Sequence, residues 1–539
     1  MSLRDLFPDV LDNHDILLAI IVLLNGIFVL SGLPIRSLWL DEAWTLQLAR
    51  LTDLNDFFSI FAEDVHPPFY HAVLLVWTKV FGISEFALRF PSYIFGLGVI
   101  FLVFYWSKKR FNKQVASISS FLVAINPIVI KYQQEARMYT LLPFLLLLVY
   151  ILLDEWKDHN YRLHEGLGIV FTSTLALYTH NYALIGLFGI FLVRIVIALF
   201  FLPKKSFESH ILAKYGLILI AIGLIYLPWV SILLNQASRP TIGGAIQTVT
   251  LTPLIQFVLI AISLSNFFEI SFSAIDLVQG VLFLVPLFAI IGSLILTFRN
   301  RIRLTNEEIL ALATFSLALI YFGIPFGVSY IKFPLGYSIY NLQYVIFSII
   351  VLKIYIAYAL VQISIEGYNF LQYYSVEREK NKLLMKINNS YDWLRLIVSS
   401  LLIILVALSS VMYIYGSTRF YRSWGDYRGA SVFIEQNSDK LVPVIYEGNI
   451  IVFQYYFDPS WHPYLVQIRP NSRINETIYS ILADNNSDSF WYCRYVPTYE
   501  QGIEYYAFDW ATVHGFIDQN IGMVDFSGLE LFKCTIKIR

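Results

Sequence analysis

Three observations predict a polytopic α-helical membrane protein that ends in a small C-terminal α/β domain. Of 539 residues, 57% are hydrophobic and only 14% are charged, whereas a soluble globular chain has about 25% charged residues. The apolar residues gather in runs long enough to cross a bilayer, giving a mean hydropathy of +0.62. After residue 415 those runs give way to short alternating and mixed segments.

A crossing helix needs about 20 mostly apolar residues, each rising about 1.5 Å through a core about 30 Å thick. Eleven runs fit: 15–33, 87–106, 114–131, 138–154, 166–180, 182–202, 214–233, 276–298, 308–328, 344–363 and 394–415. The first run follows an acidic stretch without a basic segment and precedes no small-residue cleavage site, so it reads as a retained helix. Stretch 67–82 is too short to count. Its apolar residues Phe69, Val73, Val76, Trp77, Val80 and Phe81 recur at helical spacing, with His71, Thr78 and Lys79 elsewhere, which suits a helix lying in the interface. Stretch 250–268 is left out because the charge bias then becomes regular.

That bias sets the orientation. With the N-terminus cytoplasmic, the inside loops "KKRFNK" (108–113), "EWKDHNYR" (155–162), "PKKSFESHILAK" (203–214), "FRNRIR" (298–303) and 364–393 are each basic-rich. The short outside loops carry scattered charges only. Residues 34–86 form one long first exported loop, and a membrane domain of residues 1–415 precedes an exported domain of residues 416–539. The expected location is the plasma membrane, multi-pass, with the C-terminal domain extracellular. In that domain "LVPVIYEG", "FWYCRYV" and "LELFKCTIKI" read as strands and "YRGASVFIEQN" as a helix. Cys493 and Cys534 both lie there, as a disulfide or as two core thiols. Asn475 and Asn485 head glycosylation sequons. The net charge of −1 says little as a total, because the charges are unevenly placed; no basic stripe is interleaved with a recognition motif, so no nucleic-acid partner is expected.

Polar residues collect on the exported face. The first loop offers Asp41 and Glu42, then "EDVHPPFYH" with Glu63, Asp64, His66 and His71. The turn after the third run reads "INPIVIKYQQEARMYTLLP" and holds Lys131, Gln134, Glu135, Arg137 and Tyr139; "YTHNY" adds His180 and Asn181. Taken singly, each has an ordinary reading: Asp41 caps a helix over 42–51, His66 is an interfacial polar residue, and Glu135 pairs with Arg137. Gathered at one membrane boundary, they mark a functional site. A guanidinium forks onto phosphate oxygens, and a carboxylate takes a proton from an attacking hydroxyl. Together they suit transfer from a phosphate-activated donor to an acceptor hydroxyl.

"LDEAWT" (40–45), "HPPFYH" (66–71), "SEFALRFPS" (84–92) and "NPIVIKYQQEARMYTLLP" (126–143) resemble the signature of GT-C glycosyltransferases of the protein O-mannosyltransferase and aminoarabinose-transferase type, over roughly residues 30–200. "WGDYRGASVFIEQ" (424–436) is similar to the start of the exported domain in many prokaryotic members. The resemblance implies transfer of a single sugar from a polyprenyl-phosphate carrier, such as dolichyl phosphate, to a protein, lipid or glycan acceptor, with inversion. It implies Asp41 as general base and Glu42 as its support. Near the donor phosphate it places His66 and Arg137, with Glu135 orienting the arginine. One departure stands out. An arginine–tyrosine pair common near the donor phosphate is Gln343–Tyr344 here, so Lys332, eleven residues earlier, is the substitute cation. Tyr139 and His180 complete the candidates. No cofactor is required. A divalent metal is compatible with the chemistry, but no ligand spacing calls for one. The alternatives are a non-catalytic lipid or solute transporter, or a glycan-assembly subunit; polar residues on one face without an internal repeat argue against transport.

Overall fold

The computed structural model describes residues 13–50, 66–201, 210–238, 274–299, 304–332, 342–377, 426–438, 442–447, 451–468, 489–495, 524–526 and 529–535. Stretches 250–268 and 394–415, Glu63, Asp64, Asn475, Asn485 and the side chains of Lys332 and Cys534 lie outside the described residues.

The helices, in chain order, are α1 (Asn13–Leu30), α2 (Leu40–Ala49), α3 (Phe69–Phe81), α4 (Glu85–Arg110), α5 (Lys113–Ala124), α6 (Pro127–Gln133), α7 (Leu141–Asp158), α8 (Leu163–Leu177), α9 (Ala183–Phe200), α10 (His210–Ser238), α11 (Ala274–Arg299), α12 (Asn306–Lys332) and α13 (Ile346–Glu377), the last entered by a 3₁₀ turn at Leu342–Val345. The C-terminal segment adds α14 (Tyr427–Gln436), β1 (Val444–Glu447), α15 (Ile451–Tyr456), β2 (Leu465–Ile468), β3 (Ser489–Tyr495), β4 (Val524–Phe526) and β5 (Leu529–Thr535). Among the described residues five helices are long and apolar enough to cross a membrane: α4, α9, α10, α12 and α13; the bent pair α5–α6 makes a sixth. The protein is a multi-pass membrane protein.

The chain divides into two compact units. The first holds Met1–Ser31, Leu51–Val80 and Arg89–Tyr413. Its centre is the first half of α13, which is buried and packed against α5, α7, α11 and α12. The cytoplasmic-side basic loop expected after α4 is neutralised locally: Lys108 pairs with Asp15 at 2.7 Å and Arg110 with Asp158 at 2.7 Å. Buried Asp154 accepts from Trp106 Nε1 at 2.7 Å and pairs with Arg194. A buried carboxylate persists only with such partners.

Two differences from the expected helices bear on the site. The run 114–131 is not one straight helix; it breaks between α5 and α6 with a bend of 60°. Asn126 is extended (φ −65, ψ 122), accepts hydrogen bonds from the Ile128 and Val129 N–H groups, and is followed by Pro127 in the first turn of α6. A residue before proline is pushed out of the helical region, and asparagine is a strong cap. The second difference concerns α3. His71 and Thr78 are buried, whereas Val76, Val80 and Phe81 are exposed. The buried face thus mixes His71 and Thr78 with Tyr70, Leu74 and Leu75, and Lys79 is exposed beside Val76, Val80 and Phe81, so the helix is not divided into one polar and one apolar face.

The second unit comprises Gly32–Arg50, Phe81–Leu88 and Ile414–Arg539. Its sheet runs β2-β1-β3-β5-β4, parallel between β2, β1 and β3 and antiparallel beyond. A core of Tyr427, Ala430, Ile434, Val444, Phe453 and Trp491 also takes in Ala43 of α2. Cys493 is buried and unbonded, and burial pushes its thiol well up. Strand register sets Cys493 opposite Leu531 and Cys534 opposite Phe490. Three residue pairs of offset, at about 3.4 Å each, exceed the Cα separation of about 7 Å that a disulfide tolerates. The disulfide alternative is thereby replaced by separate thiols.

Candidate functional site

Most of the candidate residues lie in the first unit, on three short segments between helices. The turn carrying Arg137 follows α6, and two glutamines anchor it. Gln133 exchanges hydrogen bonds with buried Asn25 of α1, at 3.0 and 3.2 Å. Gln134 Nε2 donates to the Phe28 and Val29 carbonyls at the end of α1, at 2.9 and 3.1 Å. From the other side Ser92 Oγ donates to the Arg137 carbonyl at 3.0 Å, and Thr140 Oγ1 donates to the Ser92 carbonyl at 2.8 Å. Tyr70 and Ser92 hydroxyls meet at 2.7 Å. Asn25→Leu strands the buried Gln133 amide, so a loss of about 1–3 kcal/mol is expected, read by denaturation in detergent; Asn25→Leu/Gln133→Leu should recover much of it. Equal losses in the single and double variants would contradict the pairing.

The His66 segment is tied to the turn after α8, where the Phe69 N–H donates to the Tyr178 carbonyl at 2.8 Å. That tie brings His66 and His180 together, with ring centroids 5.0 Å apart. Tyr344 closes the group, 4.7 Å from His180 and 6.4 Å from His66. Tyr182 lies 4.9 Å and Tyr139 6.0 Å from Tyr344. The Arg137 guanidinium sits 5.8 Å from the Tyr139 ring. His66, Glu135, Arg137, Tyr139 and His180 are all buried. Lys131 stands 3.9 Å from Glu135.

Gln343 is an anchor in this group. It accepts from the Tyr132 hydroxyl at 3.4 Å, and its Nε2 donates to the Tyr139 hydroxyl at 2.9 Å. The amide thus bridges two tyrosines. Lys332 ends α12, and its side chain lies outside the described residues.

Electrostatics bears on the two imidazoles. Burial, reinforced by Arg137, His180 and His71, holds the His66 imidazole well below its usual range. Burial and then Arg137 bring His180 down to about 3. Both shifts favour the uncharged imidazole, which offers an N–H donor. His180 Nδ1 accepts from the Tyr182 N–H at 3.1 Å, which leaves the proton on Nε2. That Nε2 is buried and has no hydrogen-bond partner in the protein. A guanidinium, two imidazoles and tyrosine rings make a donor-rich, water-poor setting for an anion. Among the described residues no group of three His, Cys, Asp or Glu side chains could hold a metal ion.

Asp41 and Glu42 belong to the second unit, in the first turn of α2. The helix begins at Leu40 with Trp39 as N-cap, so Asp41 is not the cap. Buried Glu42 does that work, its carboxylate accepting from the Trp39 N–H at 3.4 Å. Asp41 is half-buried. Sequence reading did not single out Tyr132 or Tyr182, although both fall inside quoted motifs; their signal was adjacency to residues already chosen, whereas His71, named there, is buried.

Residues 65–232 match the sequence model of a family described as dolichyl-phosphate-mannose-protein mannosyltransferase. No curated protein matches the chain in sequence. Among solved structures, ArnT from Cupriavidus metallidurans in the apo state has a TM-score of 0.52 at 14% identity, over 96% of this chain and 97% of that one. The same protein bound to undecaprenyl phosphate gives 0.51 at 14%, over 96% and 97%. The archaeal oligosaccharyltransferase AglB from Archaeoglobus fulgidus, in complex with an inhibitory peptide and a dolichol-phosphate, gives 0.51 at 12%, over 91% and 70%. The chain has the GT-C fold shared by these proteins.

Proposed function

We propose that this protein is a membrane glycosyltransferase that moves a single sugar from a polyprenyl-phosphate donor to an acceptor hydroxyl on the exported face, with inversion. The observation that carries the reading is the buried group of Arg137, His66 and His180, with the His180 Nε2 proton lacking a protein partner. Such a group suits a phosphate at a lipid boundary. The relatives above that hold undecaprenyl phosphate and dolichol-phosphate share the fold and support the choice of carrier.

In this reading Arg137 forks onto the donor phosphate, and Glu135 and Gln343 hold the turn and tyrosines around it. His66 and His180 donate neutral N–H groups as charge gathers on the departing phosphate. Asp41 takes the acceptor proton. The acceptor oxygen then attacks the anomeric carbon from the face opposite the phosphate, and the carbon–oxygen bond to phosphate breaks. One carboxylate suffices because the leaving group departs as an anion. With the N-terminus cytoplasmic, the acid pair and the C-terminal unit face outward.

Purified protein incubated with a panel of short-chain polyprenyl-phosphate sugars and candidate acceptors, with released lipid phosphate followed by mass spectrometry, tests the reading. Release with one sugar supports it and narrows the donor. Silence across donors and acceptors sinks it. The pH profile adds a check. Both histidines titrate below their usual range, so neither should cause a loss of turnover as pH rises through about 5 to 8. An alkaline fall centred near 6.5 that vanishes in His66→Gln would instead assign His66 an imidazolium role.

A further inference from the structure

We propose that Tyr456 and Arg428 are positioning residues, which fix the backbone entering α2 and so set Asp41 for its role. The proposal rests on Asp41 being the base. Residues 37–39 have no regular structure, yet Leu38 is fully buried. Its N–H donates to the Tyr456 hydroxyl at 2.6 Å, at the end of α15. That hydroxyl in turn donates to Glu85 at 3.2 Å. Glu85 is ion-paired with Arg428, whose guanidinium also donates to the Pro34 carbonyl at 3.3 and 3.4 Å. Ser37 Oγ donates to Asp426 at 3.0 Å and accepts from the Arg428 N–H at 3.2 Å. Asp426, Arg428 and Tyr456 thus all reach 34–38 from the C-terminal segment.

These contacts end just before the first turn of α2. Further along that helix Ala43 sits in the apolar core with Tyr427, Ala430 and Phe453. The acid-bearing turn is therefore held from both ends by residues almost 400 positions later in the chain. A general base must come within about 2.6–3.2 Å of the proton it takes. Misplacement by about 1 Å costs on the order of 100-fold in rate. Removing one member of the clamp shifts the turn by less than that, so a loss of about 10-fold is expected.

Tyr456→Phe, in the full chain, removes one hydroxyl and keeps the ring. Tyr455→Phe is its matched control, because the Tyr455 hydroxyl donates to the Ile83 carbonyl at 3.1 Å rather than to the acid segment. Ser37→Ala is a second, independent variant. Amide hydrogen exchange over 34–46 should speed up in Tyr456→Phe and Ser37→Ala and stay unchanged in Tyr455→Phe. At saturating donor, kcat should fall about 10-fold in the first two with donor KM held within about twofold. In an Asp41→Asn background neither should lower the residual rate further, since the loss acts through that carboxylate. Unchanged exchange in both variants overturns the clamp whatever the activity. Faster exchange with unchanged kcat overturns the positioning role. Full additivity with Asp41→Asn reduces the contact to fold maintenance and also overturns it. Wild-type protein silent with every donor sinks the transferase reading, and the base-positioning role with it, while the exchange result still reports on the clamp.

Discussion

Asp41→Asn should lower turnover by about 10²–10⁴-fold, the range that a positioned base contributes. The exchange of one oxygen for an amide nitrogen keeps the shape of the side chain and removes its capacity to accept a proton. Trp39 is the N-cap of α2 and Glu42 reaches back to it, so the helix start does not depend on Asp41. Thermal stability should therefore stay close to wild type, and donor affinity should be unchanged. Glu42→Gln should behave in the opposite way. Glu42 is buried and serves the Trp39 N–H, so its replacement should cost about 0.5–2 kcal/mol of stability with a smaller effect on rate. Single-turnover measurements at saturating donor, beside melting curves for both variants, separate the two. Full activity in Asp41→Asn removes it from the base role and transfers attention to Glu42.

Arg137→Ala should weaken donor binding and lower kcat together, by about 10²–10³-fold in the chemical step. The guanidinium is the one strong cation that the described residues bring to His66 and His180, and after burial its field is the next cause that depresses both imidazoles. Its removal relaxes that depression, so the histidines should move upward in NMR titration. Arg137→Lys should recover little, because a point charge does not reproduce a planar fork in a packed turn. Donor affinity measured on carrier phosphate without sugar isolates the anion term. An affinity unchanged in Arg137→Ala would contradict the phosphate assignment.

Long apolar runs were legible because burial in lipid demands them: 182–202 contains α9, and 344–363 lies within the 3₁₀ turn and α13. The convergence of His66, Arg137, Tyr139, His180 and Tyr344 was legible from motif order and loop sidedness. Other features were not, for identifiable reasons. The break at Asn126–Pro127 lies inside an apolar run, 114–131, which hydropathy alone reads as continuous. Charge states depend on burial, which periodicity does not report. Gln343 read as a missing cation, and only three-dimensional contact reveals it as the bridge between Tyr132 and Tyr139. The attachment of 32–50 to the C-terminal segment rests on contacts between residues almost 400 apart, such as Ser37 with Asp426, which no local pattern encodes.

The break at Asn126 also sets a depth. α5 has 12 residues and rises about 18 Å; α6 has 7 and, bent by 60°, adds about 5 Å in the same direction. Together they climb about 23 Å, short of the roughly 30 Å hydrocarbon thickness. On the proposed reading, with α5 starting at the opposite membrane surface, the Arg137 turn would be recessed below its own. On the proposed reading a carrier would present its headgroup sideways to this recess, with its tail still dissolved in lipid. Substrate supply then becomes a two-dimensional problem. Rates should follow the mole fraction of carrier in the bilayer, and diluting the same carrier with inert phospholipid should slow turnover even when its bulk concentration is held constant.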